Sequence, residues 1–155
     1  MDIREYADAY AVEIAELFHQ SVHAIDASVY TPEEKEAWAP TPPDYSFWAE
    51  RLKVKQPFVA MLDGSVVGFM ELDADGHIDC AYTHPHFQRK GVASALYRRV
   101  LEVAQASALT RLYVEASWVA KPFFAYHGFQ EVQKNEIERR GVTLINFTME
   151  KILCP

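Results

Sequence analysis

The chain has 155 residues, which suits a single domain, residues 1–155, around one core. Hydrophobic residues make up 50% and aromatics 13%, which excludes a disordered chain, and no apolar run reaches the length of a bilayer span. A formal net charge of −7 excludes general nucleic-acid binding, which rests on neutralising phosphates with Lys and Arg.

The N-terminal Met1-Asp2-Ile3-Arg4-Glu5 is charged and has no signal-peptide core. Ala7–Val22 carries Ala11, Ile14, Ala15, Leu17, Phe18 and Val22 at helical spacing and reads as a first helix. Thr31-Pro32-Glu33-Glu34 has an N-cap threonine, a proline at the first helical position and early acids, so a short helix starts there and closes at Trp38 and Ala39. Asp44–Leu52 reads as another. Residues 20–55 form one helical, loop-rich excursion, because Trp38, Tyr45, Phe47 and Trp48 need burial. Pro57–Leu62 and Val66–Leu72 are strands about an Asp63-Gly64 hairpin turn, and His77–Thr83 is a third. A helix over Gly91–Ser107 leads to a strand at Arg111–Ala116, as in a βαβ crossover. A short helix, Ala120–Tyr126, precedes a hairpin of Phe129–Arg139 and Val142–Ile152 around Arg140-Gly141. Two cysteines give no disulfide framework, and Cys80 reads as a small buried strand residue, so a reducing, cytoplasmic location is expected.

Gln88-Arg89-Lys90-Gly91-Val92-Ala93 joins the third strand to the long helix. The first N–H groups of a helix have no internal partner, and the helix dipole adds positive charge there, so this loop is an anion site suited to phosphates. Arg89, Lys90, Arg98 and Arg99 concentrate cations around it in an otherwise acidic chain, whose remainder favours a cationic substrate. The Gly-Lys-Ser/Thr ending of a P-loop is missing, which removes a nucleotide-hydrolysing reading.

A Gln/Arg-x-x-Gly-x-Gly/Ala loop between strand and helix resembles the acetyl-CoA pyrophosphate loop of the GNAT superfamily of N-acetyltransferases, matched at Gln88, Gly91 and Ala93. Phe123-Phe124-Ala125-Tyr126-His127-Gly128-Phe129 resembles the family's C-terminal Phe-Tyr-x-x-x-Gly-Phe motif, and the element order is that of the family across nearly the whole chain. The resemblance implies an α+β fold with a mixed, mostly antiparallel sheet flanked by helices. It implies acetyl-CoA as the acyl donor, with Gln88–Ser94, Phe123 and Phe124 as cofactor contacts. It also implies that pantetheine pairs with the backbone of Ala81, Tyr82 and Thr83, with the Tyr82 N–H polarising the thioester carbonyl.

Direct attack by a substrate amine requires a base and an acid. Asp79 and Glu115 lie inside otherwise apolar strands, where a carboxylate is either functional or paired with a hydroxyl or cation. Glu71 is a further candidate, against a solvent-facing strand acid, and His84 another, against an ordinary loop histidine. The family's acid tyrosine aligns with Phe124, which carries no proton to donate. Tyr126 is then the candidate acid, although it points about 200° away around the helix. His19, Ser21, His23, Tyr30 and Trp38 are expected near the acceptor. No third ligand accompanies His19 and His23, so no metal is expected. Ser21–Tyr30 and Glu36–Ala39 further resemble a bacterial subgroup of this family whose substrates are largely unassigned, which does not name the acceptor.

The expected function is N-acetylation of a primary amine on a small molecule, peptide or protein, with no nucleic-acid or membrane partner and with a homodimer suggested by exposed strand edges. The alternatives are a CoA-binding regulatory module that has lost catalysis, motivated by Phe124, and an acyltransferase using a longer acyl-CoA.

Overall fold

The computed structural model describes residues 1–154 and shows two four-stranded sheets with five α-helices. The first sheet runs β1 (Asp2–Glu5), β2 (Phe58–Leu62), β3 (Ser65–Met70), β5 (Ala81–Thr83), antiparallel throughout. The second runs β4 (His77–Ile78), β6 (Arg111–Ala116), β8 (Val142–Ile152), β7 (Gln130–Arg139), with only the β4–β6 pair parallel. The helices are α1 (Ala11–His23), α2 (Pro32–Trp38), α3 (Tyr45–Lys55), α4 (Val92–Ala106) and α5 (Lys121–Tyr126).

Local chemistry sets most of these boundaries. Thr31 and Glu34 close a capping box on α2, with Pro32 in its first turn. The Asp44 carboxylate accepts from the Phe47 N–H at the start of α3. Asp63-Gly64 and Arg140-Gly141 have positive φ at both residues, the twist that suits a tight hairpin. Residues 2–5 form an edge strand on β2, although they read in sequence as a charged terminus. Its mostly exposed side chains carry no apolar alternation, so only pairing with β2 defines it.

The first sheet is buried on both faces. Phe69 faces α1 and α3 among Ile14, Leu17, Trp48 and Leu52, while Met70 faces α4 among Leu96 and Val100. This explains the unbroken apolar run of β3. A Cβ on Gly68 would stand 2.7 Å from Val92 Cγ1, so the glycine lets the first turn of α4 lie against β3.

The expected third strand, His77–Thr83, is two strands. His77 and Ile78 pair with β6, and then the chain changes sheets at Asp79-Cys80 and pairs with β3 from Ala81. The Asp79 carboxylate is gripped at this crossing by Lys55 at 2.7 Å and Arg51 at 3.0 Å, which holds the strand turned between its two partners.

Candidate active site

Had the β4–β6 register of His77↔Tyr113 and Ile78↔Val114 continued, Asp79 would face Glu115 and Ala81 would face Ser117. Instead β5 departs with β3 and opens a gap beside β6. Which main-chain groups face the gap follows from strand alternation. The Cys80 carbonyl accepts from the Glu71 N–H at 2.8 Å, and the His84 N–H donates to the Val67 carbonyl at 2.8 Å. Tyr82, midway between them, therefore turns its own N–H and C=O into the β3 ladder, and Ala81 and Thr83 face the gap. The expected oxyanion donor at Tyr82 is thus corrected: its N–H is used within the sheet. The Thr83 carbonyl is also occupied, by the Ser21 hydroxyl at 2.8 Å and the Gln88 amide at 3.2 Å. Gln88 thereby ties the loop to the end of β5.

At that end α4 begins without a side-chain cap. Gly91 is its N-cap at φ 79°, and Arg89 also lies in the left-handed region at φ 60°. The N–H groups of Val92, Ala93 and Ser94 are the helix's unsatisfied donors. Val92 is only 2% exposed, so it offers its backbone and not its side chain. Arg89 and Lys90 stand exposed beside these donors. Arg99 turns instead to Glu102, at 3.6 Å, and to the Phe58 ring.

On the other side of the parted strands lies a cavity of about 700 Å³. Phe18, Tyr30, Trp38, Phe47, Trp48 and Tyr82 form its aromatic walls, and Asp79 and Glu115 lie at the parting. The helical excursion is fastened over it by specific bonds. The Tyr30 hydroxyl donates to the Ile145 carbonyl at 2.9 Å and accepts from the Trp118 N–H at 3.0 Å. The Trp38 indole donates to the Tyr82 hydroxyl at 3.2 Å. His19 Nε2 lies 2.8 Å from Thr41 Oγ1 and His23 Nε2 2.7 Å from the Ala39 carbonyl, both pinning the loop after α2. His19, Tyr30 and Trp38 line the cavity as expected for acceptor contacts, whereas His23 does not.

The carboxylates differ sharply in their surroundings. Glu71 has no exposed surface and is held by Arg51, at 2.7 Å to Nη2 and 3.3 Å to Nε. It lies behind the cavity wall, so the expected catalytic carboxylate at Glu71 is corrected to a buried ion-pair partner. Asp79 is half-buried. Burial raises its proton affinity, but the Lys55 hydrogen bond and the Arg51 charge outweigh this and hold it below its ordinary value. Among the described residues Glu115 has a single close partner, His77, whose Nε2 is 2.8 Å from its Oε1. The His77 ring stacks on Tyr113 with centroids 4.6 Å apart, and its Nδ1 is 3.4 Å from Asp73. Cys80 Sγ lies 3.3 Å from Arg51 Nη2, and burial pushes its thiol well up, away from nucleophilic use.

At the C-terminal motif, Phe124 is 1% exposed and packs on Phe129 at 5.1 Å between centroids, so it is a core residue and not a cofactor contact. Phe123 is only partly buried against the same core. Tyr126 is 84% exposed and outside the cavity, which corrects its expected place beside the leaving group. His84 caps the short turn at Pro85–Phe87, its Nδ1 accepting from the His86 N–H at 3.1 Å.

Sequence reasoning missed Arg51, Lys55 and His77. A signal existed for the first two: a basic pair at i, i+4 on α3, one helical turn apart, aimed at the acids of one hairpin.

An uncapped helix start beside Arg89 and Lys90, and an aromatic cavity with Asp79 and Glu115 at the parting, meet across separated strands, an arrangement that fits an N-acetyltransferase. The comparisons agree. A family model described as an acetyltransferase (GNAT) domain matches residues 26–151. The chain is 34% identical to an uncharacterised N-acetyltransferase, YafP, of Escherichia coli K12, over 96% of this chain and 94% of that protein. It superposes on a GCN5-related N-acetyltransferase from Rhodopseudomonas palustris with a TM-score of 0.92 at 34% identity, covering 98% and 95% of the two chains. The PaiA N-acetyltransferase of Thermoplasma acidophilum, solved with coenzyme A, shares the fold with a TM-score of 0.77 at 17% identity, covering 98% of each chain. The chain belongs to the GNAT family of acetyltransferases.

Proposed function

We propose that the protein transfers an acetyl group from acetyl-CoA to a primary amine bound in the aromatic cavity. The observation that carries this is the junction itself: the uncapped start of α4 and the Ala81 main chain facing the gap lie on one side of the parting, and Asp79 and Glu115 line the cavity on the other. The Val92, Ala93 and Ser94 N–H groups, with Arg89 and Lys90, hold the pyrophosphate of the donor. The gap-facing groups of Ala81 and the Thr83 N–H align its pantetheine arm, and the Ala81 N–H faces the thioester oxygen. The donor supplies an activated acyl carbon. As the amine bonds to that carbon, the carbon–sulfur bond breaks and CoA leaves as its thiolate.

Glu115 takes the amine proton. Its one close partner is a histidine, whereas two cations hold the Asp79 carboxylate. A carboxylate so stabilised is a weak base, and Asp79 serves better to attract the amine. No tyrosine stands where the family places its acid, and a thiolate near its own pKa leaves without one.

The test is a thermal-shift titration with acetyl-CoA and CoA, with ATP as control, followed by thiol release on an amine panel. The proposal expects a concentration-dependent rise with both CoA species and none with ATP. It also expects Glu115→Gln to keep that rise while losing turnover. A rise with no turnover on any amine would support a CoA-binding regulatory module, the reading that Phe124 favours.

A further inference from the structure

The cavity floor changes chemical character along one face of the second sheet. Residues two apart on a strand share a face, so register sorts the floor into rows. Glu115 lies against Thr148, Asn135 against Asn146, Ile137 against Leu144, and Arg139 against Val142. Glu115, Asn146, Ile137, Leu144 and Arg139 all line the cavity. From the parting outward the floor is therefore acidic, then amide, then aliphatic, then basic.

The charge at the far end is uncompensated. Arg139 has no ion-pair partner among the described residues. Its neighbour Arg140 donates only to a neutral acceptor, the Ala37 carbonyl at 2.7 Å, which fastens the hairpin tip to α2. By contrast Arg51, the other arginine of the cavity, is matched by Glu71 and Asp79. Two guanidiniums thus stand at the outer end of the cavity with no protein anion among the described residues, and a planar carboxylate is the group a guanidinium fork fits.

The register also supplies a length. Thr148 and Val142 are six residues apart on β8, about 20 Å at ~3.4 Å per residue. β6 and β7 flank β8 about 10 Å apart, so the Glu115 and Arg139 Cα atoms are roughly 22 Å apart, and only side chains inclined fully toward each other close that to about 10 Å between their charged groups. A single α-amino acid is too short to span that distance, whereas a chain of about three residues at ~3.5 Å each spans it.

Resting on the acetyl-transfer reading above, we propose that the acceptor is an elongated zwitterion. Its primary amine lies at Glu115 and Asp79, its apolar or aromatic body lies between the aromatic walls and Ile137 and Leu144, and its carboxylate reaches Arg139. Two sources carry this chemistry: a short peptide with a free C-terminus, and an ω-amino acid of matching span.

The experiment is thiol release at saturating acetyl-CoA with glycyl-phenylalanyl-glycine, its C-terminal amide, an ω-amino fatty acid of equal span and its amide. Each is measured with the wild-type protein and with Arg139→Gln. The wild type is expected to show a KM about tenfold to a hundredfold lower for acid than for amide, the worth of one charge-assisted hydrogen bond. Arg139→Gln removes that difference and leaves the KM for acetyl-CoA unchanged. A preference for the acid confined to the peptides, or confined to the ω-amino acid, supports the proposal and picks the source. Equal KM values for acid and amide, or an Arg139→Gln variant that keeps the preference, overturn it. No turnover of these compounds by protein that acetylates another amine overturns it while sparing acetyl transfer. No thiol release with any amine overturns both.

Discussion

Replacing Gly91 by glutamate separates the strain of the loop from its charge. Gly91 has φ 79°, where a side chain adds about 1–2 kcal/mol of backbone strain, but an added Cβ meets nothing within 4 Å. Stability therefore falls without a clash. At roughly 2–4 °C per kcal/mol for a chain of this size, the melting temperature drops by about 2–8 °C. A carboxylate at a helix N-terminus recovers about 0.3–1 kcal/mol of that. The effect on the cofactor is much larger. A carboxylate about 4 Å from a phosphate charge at a surface dielectric of about 20 is repelled by about 4 kcal/mol, close to three orders of magnitude in Kd. Gly91→Ala carries the same strain without charge and isolates the first term. Calorimetric titration with CoA should find Gly91→Ala within about tenfold of wild type and Gly91→Glu weaker by at least about a hundredfold. A Gly91→Glu protein that binds CoA as tightly as wild type would refute the placement of the pyrophosphate at this helix end.

Arg51→Met strands the buried Glu71 carboxylate, for a loss of about 3–5 kcal/mol and roughly 6–20 °C in thermal unfolding; the Arg51→Met/Glu71→Met pair should recover most of it, and a single variant as stable as wild type would contradict the ion-pair assignment. Tyr126→Phe should leave turnover within about twofold, because the side chain is 84% exposed; a large fall in kcat would return it to the mechanism. Asp79 makes acid unfolding directional. Its carboxyl is held below its ordinary 3.8, so its contribution is full above that value and disappears as pH falls through the lower folded-state value. Denaturant titrations between about pH 5 and about pH 2 should show wild type losing more stability than Asp79→Asn, and parallel losses would show that Lys55 and Arg51 do not hold the carboxylate as an anion.

Several parts of this protein were legible from short-range chemistry. The capping box at Thr31–Glu34, the two hairpin turns and the periodicity of α4 act within a few residues, so composition and spacing specify them. The uncapped helix start after Gln88–Gly91 was legible for the same reason: its free donors come from one helix end. The edge strand at Asp2–Glu5 was not, since its only determinant is a partner more than fifty residues away.

The sequence by itself determined the fold class, the strand–loop–helix junction at Gln88–Ala93 and the candidate acids, because each is written in local pattern or family motif. Only the tertiary structure decided which partners hold each acid. Whether Glu71, Asp79 or Glu115 is free to take a proton depends on which cations reach it. Those cations, Arg51 and Lys55 on α3, lie twenty to twenty-eight positions from Glu71 and Asp79 in sequence and about 3 Å away in space, and neither reaches Glu115. The exchange of partners at Asp79-Cys80 and the exposure of Tyr126 were decided there too. Both follow from which neighbouring element wins a contact, and that competition exists only once the chain is folded.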